Sequence, residues 1–117
     1  MPVTVLIVDD HAGFRRAARA VLEADGFHVV AESATGSEAL AAAQRAQPAL
    51  VLLDIGLPDI DGIQVAALLT AADRSRAVVL TSSRDGADYQ RLIEGCGARG
   101  FIAKAELSGA AIAALAA

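Results

Sequence analysis

"LVLLDIGLPDIDGIQV", residues 50–65, is the stretch on which the fold turns. Leu50, Val51, Leu52 and Leu53 are consecutive apolar residues, the pattern of a strand buried on both faces. Asp54 stands where that strand should end. After a short loop, Asp61 with Gln64 three residues on reads as a helix start, and the helix it opens turns Val65, Leu68 and Leu69 inward. Strand, loop and helix in immediate succession are the half-unit of a parallel sheet. A carboxylate ending a buried strand is costly unless positive charge or a proton meets it, so Asp54 calls for partners elsewhere in the chain.

The same unit repeats on both sides. "VTVLIV" (3–8) is a central strand, followed by a helix of about 14 residues with Phe14, Ala18, Val21 and Leu22 on one face and Arg15, Arg16, Arg19 and Glu23 on the other. "DGF" (25–27) turns into "HVVAE", a second and more exposed strand. Thr35 and Glu38 form a capping box before an Ala-rich helix over 36–47, which Pro48 stops. "AVVLT" (77–81) is strand four and "ADYQRLIEG" (87–95) a short helix ending at glycine. "GFIAK" (100–104) is strand five, and "LSGAAIAALAA" (107–117) a last helix with Leu107, Ile112 and Leu115 inward. Five strand-then-helix repeats imply an α/β domain over 1–117, a parallel sheet covered on both faces and wound right-handed.

In such sheets a site lies beyond the carboxyl ends of the strands, where the strand order switches. The residues at those ends are Asp9 and Asp10, Asp54, Thr81 and Lys104. Three carboxylates in one crevice repel, and oxygen ligands suit Mg²⁺ or Mn²⁺. A hydroxyl and a lysine beside them suit the oxygens of a phosphoryl group, whose transfer depends on positioning and charge neutralisation. A carboxylate can itself be the nucleophile and give an aspartyl phosphate. Lys104 is the only lysine in the chain, among nine arginines. A compact ammonium that meets one phosphoryl oxygen and one carboxylate is poorly replaced by a planar guanidinium fork.

Composition narrows the setting. At 117 residues the chain suits one domain with a real core. One cysteine, Cys96, cannot make an internal disulfide, which points to a reducing, cytoplasmic compartment. The start "MPVTVLIVDD" has no basic region of a secretory or transit signal. Apolar runs are too short for a bilayer. A net charge of −4 and a pI near 5.0 argue against direct nucleic-acid binding.

"VLIVDDH", "VLLDIGLPDIDG", "VVLTSS" and "GARGFIAK" together resemble the receiver domain of two-component response regulators, over the whole chain and in the right order. The resemblance implies a flavodoxin-like fold, a five-stranded sheet in the order 2-1-3-4-5. It also implies that Asp54 is the phosphoacceptor, that Asp9, Asp10 and Asp54 with the backbone carbonyl of Gly56 hold Mg²⁺ (or Mn²⁺), that Thr81 is the switch hydroxyl, Lys104 the phosphate-binding lysine and Phe101 the switch aromatic. It implies a sensor histidine kinase or phosphotransfer protein as donor, and a downstream protein at the face of helix four, strand five and helix five. A homodimer is compatible with it; a membrane partner is not expected. The expected protein is a stand-alone regulator that promotes its own phosphorylation and dephosphorylation without turning over another substrate. Two features depart from the family pattern. Ala105 replaces the usual proline after the lysine, so a trans Lys104–Ala105 bond is expected, since a cis non-proline bond costs roughly 3 kcal/mol. The segment from Thr81 to Lys104 is about one residue longer than usual, near "RDG" or "EGCG". With Gly56 and Ser83 beside the acceptor, there is neither a plug nor a strong orienting group for water, so a phosphoryl group of intermediate lifetime is expected.

Other readings compete at single positions. Asp54 alone would be an ordinary loop acid and Thr81 a plain β-former; the functional groups at three other strand ends argue otherwise. Phe101 suits core as well as switch. His11 reads as a solvated residue starting helix one, His28 as a strand-surface residue and Cys96 as a small turn residue. Asp59 and Asp61 read as shaping the loop and capping helix three, and Arg15, Arg16 and Arg19 as a solvated face. At the level of the molecule, an aspartate-nucleophile phosphatase would carry its nucleophile after strand one in an Asp-x-Asp pattern, which is absent. A flavin-binding or unphosphorylated interaction module on the same fold is the remaining alternative.

Overall fold

A computed structural model describes residues 2–83 and 90–116, with 90–92 described by backbone alone. The strands are β1 (Thr4–Val8), β2 (His28–Ser33), β3 (Leu50–Asp54), β4 (Ala77–Ser82) and β5 (Gly100–Ala103). The helices are α1 (Ala12–Ala24), α2 (Gly36–Ala46), α3 (Gly62–Ala72), α4 (Gln90–Gly95) and α5 (Gly109–Ala116). All strand pairs are parallel and the order is β2-β1-β3-β4-β5. The chain therefore leaves β1 in one direction and β3 in the other, and the crevice at the carboxyl ends of β1 and β3 is where the switch occurs.

Alternation along each strand divides the core in two. Val5, Ile7, Leu50, Leu52, Val79 and Ile102 face Ala18 and Leu22 of α1 and Ile112 of α5. Leu6, Val8, Val51, Leu53, Val78 and Leu80 face α2, α3 and Ile93 of α4. β3 and β4 are buried at every position, as their unbroken apolar runs require; β2, at the sheet edge, is only partly buried. Each fully buried Leu, Ile or Val contributes roughly 1.5–3 kcal/mol through lost apolar surface.

The structure corrects the sequence reading in four places. The sequence turns Leu68 inward, yet it is 46% exposed. The phase of α3 is set by Gly62, whose amide donates to the Ile55 carbonyl at 3.0 Å. With about 100° per residue, the buried face then centres on Gly62, Val65, Ala66 and Leu69, and Leu68 falls outside it. Asp59 does not serve α3. Its carboxylate accepts from Gly36 N at 2.7 Å, Ser37 N at 3.0 Å and Ser37 Oγ at 2.8 Å, so it caps α2 across the loop. Strand five ends at Ala103, and Lys104–Glu106 form a single 3-10 turn, so Leu107 precedes α5 instead of belonging to it. The Lys104–Ala105 bond is trans. Asp61 does cap α3, accepting from Ile63 N at 2.8 Å, and Thr35 caps α2 through Glu38 N at 3.1 Å. The expected start of the fourth helix at 87, and the longer segment near "RDG", lie outside the described residues.

Candidate functional site

Asp9 directly follows β1, Asp54 ends β3, Thr81 is its register partner on β4, and Lys104 follows β5. Strand parity puts Asp9, Asp54 and Thr81 on the side of the sheet that α1 and α5 cover. Short loops leave no freedom here: Asp9 N donates to Ser33 O at 3.0 Å and Ile55 N to Thr81 O at 3.0 Å, so both acids are held by the ends of the ladder.

Lys104 Nζ lies 2.7 Å from Asp9 Oδ2 and 3.6 Å from Asp54 Oδ2. The shorter contact is ionic and not a well-aligned hydrogen bond. Asp9 is fully buried and Asp54 is 4% exposed. Burial pushes the Asp54 carboxyl above its ordinary range. The Gly56 N–H donated to Oδ1 at 3.2 Å pulls it down, Asp9 pushes it up, Lys104 lowers it, and Asp10 raises it again. Thr81 Oγ1 is buried beside Asp54 with no hydrogen-bond partner among the described residues. A buried hydroxyl left unsatisfied costs about 1–3 kcal/mol.

Three features were not legible in the sequence. The Phe14 ring, from α1, stacks under the ammonium of Lys104, 4.6 Å from centroid to Nζ, a cation–π contact that steadies the lysine from behind. Its only sequence signal is an aromatic on the inward face of the first helix, four residues after Asp10. Arg15 donates to the Asp9 carbonyl at 2.6 Å and pairs with Glu32 at 3.1 Å, and Arg19 pairs with Glu32 at 2.8 Å. The arginine face is therefore partly tied down at the site's rim. His11, the N-cap of α1 with its side chain 70% exposed, is solvated as expected, but its Nδ1 also lies 3.1 Å from both Asp9 Oδ1 and Asp10 Oδ1. Phe101 is not in the crevice. Three residues before Lys104, it has the opposite parity, and it packs half-buried against the other core beside Leu80. Cys96 is buried in a turn, its Sγ donating to Ile93 O at 3.1 Å.

One donor atom from each of Asp9, Asp10, His11 and Asp54 can be chosen so that all lie within 4.8 Å of one another. Three carboxylates against one ammonium leave a formal charge of −3 + 1 = −2, which a divalent cation would neutralise. The residues present thus fit a divalent metal, and a partnerless hydroxyl beside Asp54 fits an added oxygen acceptor.

The family model for the response regulator receiver domain matches residues 5–116. The chain belongs to this family. A transcriptional-regulator homologue of Pseudomonas aeruginosa is 42% identical over 102 residues, 87% of this chain and 49% of the relative. A LuxR-family two-component response regulator from Aurantimonas superposes with a TM-score of 0.88 at 28% identity, over 99% of this receiver and 86% of that chain. The CheX–CheY–BeF₃–Mg²⁺ complex from Borrelia burgdorferi gives 0.87 at 26% identity, over 98% and 87%. The receiver spans about half the length of the curated relatives it matches. Those relatives therefore lend no support to the stand-alone expectation. Among the described residues, no helix is long and apolar enough to cross a membrane.

Proposed function

We propose that this receiver accepts a phosphoryl group on Asp54 from a sensor histidine kinase or phosphotransfer protein, in a Mg²⁺-dependent step. The observation that carries this is the buried Asp54 carboxylate facing the chain's one lysine at 3.6 Å, beside a Thr81 hydroxyl without a partner among the described residues. An Asp54 oxygen attacks phosphorus; the P–N bond to the donor imidazole breaks as the acyl–phosphate bond forms, and the imidazole leaves with the bonding electron pair. Lys104, already between Asp9 and Asp54, meets a phosphoryl oxygen as a point charge. Thr81 supplies the hydrogen bond it now lacks. Asp9, Asp10, Asp54 and the Gly56 carbonyl would hold the Mg²⁺, which when bound supplies charge neutralisation. The Borrelia CheY complex, which contains beryllofluoride and Mg²⁺, supports that reading by likeness.

The acyl phosphate carries about two negative charges where the carboxylate carried one. Drawing Thr81 toward them vacates space for Phe101, so the α4–β5–α5 face changes and passes the signal to a protein partner. The chain promotes its own phosphorylation and dephosphorylation and turns over no other substrate. It works in the cytoplasm, where its buried cysteine stays reduced. Intact mass after incubation with acetyl phosphate and Mg²⁺ tests this: wild type should gain one phosphoryl group, and Asp54→Asn none. A stable phosphoryl mass on Asp54→Asn would overturn the assignment.

A further inference from the structure

We propose that His11 is itself a ligand of this metal site. Its imidazole makes the site prefer a borderline first-row divalent cation, Mn²⁺ through Zn²⁺, over Mg²⁺ more strongly than the carboxylates alone would. The inference rests on the proposed metal-dependent reading of the Asp9–Asp10–Asp54 crevice.

The spacing fits coordination. His11 Nδ1 is 3.1 Å from Asp9 Oδ1 and 3.1 Å from Asp10 Oδ1. Adjacent ligand atoms on an octahedral ion with bonds of about 2.1 Å lie about 3.0 Å apart, so the ring nitrogen already stands at the separation of a neighbouring ligand from each acid, and the ligand atoms of all three residues lie within 4.8 Å of one another. Asp9 is pinned, with its side chain fully buried, while the His11 ring is 70% exposed and can adjust to it. The ring has no structural duty that would hold it away, since it makes no side-chain cap for α1. Imidazole nitrogen is a borderline donor. It gains affinity along the series from Mn²⁺ toward Ni²⁺, Cu²⁺ and Zn²⁺, whereas Mg²⁺ favours oxygen.

The same 3.1 Å contact could instead be only a hydrogen bond to the acids in the metal-free chain. The two readings differ in sign. A ring that merely bridges the acids competes with every cation, so removing it would help all divalent ions alike. A ring that ligates helps the transition ions selectively.

The test uses the full chain without a histidine tag, titrated calorimetrically with Mg²⁺, Mn²⁺, Ni²⁺ and Zn²⁺, as wild type and as His11→Ala, His11→Asn, His28→Ala and Asp10→Ala. His28, the one other histidine, pairs in register with Thr4 at the far end of the sheet and is the control. His11→Asn keeps a good N-cap residue but offers an oxygen in place of nitrogen. Ni²⁺ and Zn²⁺ affinity should fall at least about tenfold in both His11 variants, with Mg²⁺ changed by less than about threefold and His28→Ala matching wild type. Mn²⁺-loaded protein should show ¹⁴N electron-spin-echo modulation that is lost in His11→Ala and kept in His28→Ala. Unchanged or uniformly higher affinities in His11→Ala, or modulation that survives it, would overturn the proposal while leaving the metal reading intact. Mg²⁺ binding undiminished in Asp10→Ala would instead sink the metal reading, and the His11 ligand with it.

Discussion

The charged form of Asp54 is disfavoured in the core, because burial outweighs the help of the Gly56 amide and Lys104. Its pKa is raised on folding, so its protonated form is the one the folded state favours. The stability tied to that proton is present below the ordinary carboxyl range and is lost as pH rises through the folded pKa. Asp54→Asn, nearly isosteric and neutral, should therefore be more stable than wild type at pH 7 in urea denaturation, with the gap closing as pH falls toward 4. A gap that widens on acidification would contradict the burial argument. The neighbouring residue controls water. A Cβ at Gly56 would sit 4.0 Å from Asp54 Oδ1, an ordinary contact, so a side chain can start there beside the acceptor carboxylate without a clash. Gly56→Tyr should slow loss of the phosphoryl group several-fold, on the order expected for restricting an attacking water. The measurement is decay of the phosphorylated mass after the donor is removed, and equal curves would exclude control of lifetime by access at this position.

Between elements, two loop aspartates do work that belongs to distant helices. Asp59 caps α2, and Asp25, at the end of α1, accepts from Gly109 N at 3.0 Å at the start of α5. Hydrogen bonds from Gly36 and Ser37 lower the Asp59 pKa to about 2. A lowered folded pKa contributes stability above the ordinary value of 3.8, lost as pH falls through about 2. Asp59→Ala should accordingly melt below wild type at pH 7 and approach it near pH 2, with faster hydrogen exchange at the Gly36 and Ser37 amides. Gly62 is the contact between α3 and the strand that carries Asp54. A Cβ there would collide with the Asp54 carbonyl oxygen and lie 2.6 Å from Ile55 Cα. Backbone on both sides cannot give way. Although alanine favours helix by about 1 kcal/mol over glycine, overpacking of about 1–3 kcal/mol should win. Gly62→Ala should shift the urea midpoint down; a midpoint at or above wild type would refute the contact.

At the scale of the molecule, the two core layers converge on one edge of the sheet, where charge accumulates without enough countercharge. The acids are held there by the ladder and cannot separate to relieve their repulsion. A cation bound only by the folded state must then raise stability, by about 2.7 kcal/mol at a hundred times its Kd. Urea titrations in saturating Mg²⁺ and in EDTA should differ by about that amount for wild type and hardly at all for Asp10→Ala. Equal midpoints for wild type in the two conditions would mean that the crevice does not bind the ion.

The sequence alone determined the five strand–helix repeats and the alignment of Asp9, Asp10, Asp54, Thr81 and Lys104 at strand ends. Both follow from local periodicity and from the geometry every parallel sheet shares. The caps at Thr35 and Asp61 were equally legible, since each bonds an amide two or three residues away. Only the tertiary structure decided the phase of α3, because a glycine's backbone contact, invisible to side-chain periodicity, turns Leu68 outward. It alone assigned Asp59 to α2 and brought Phe14 beneath Lys104, ninety positions away in the chain. It also set His11 against the acid pair. These pairings depend on how loops and helix faces meet in space, and nothing in the spacing of the residues along the chain encodes that meeting.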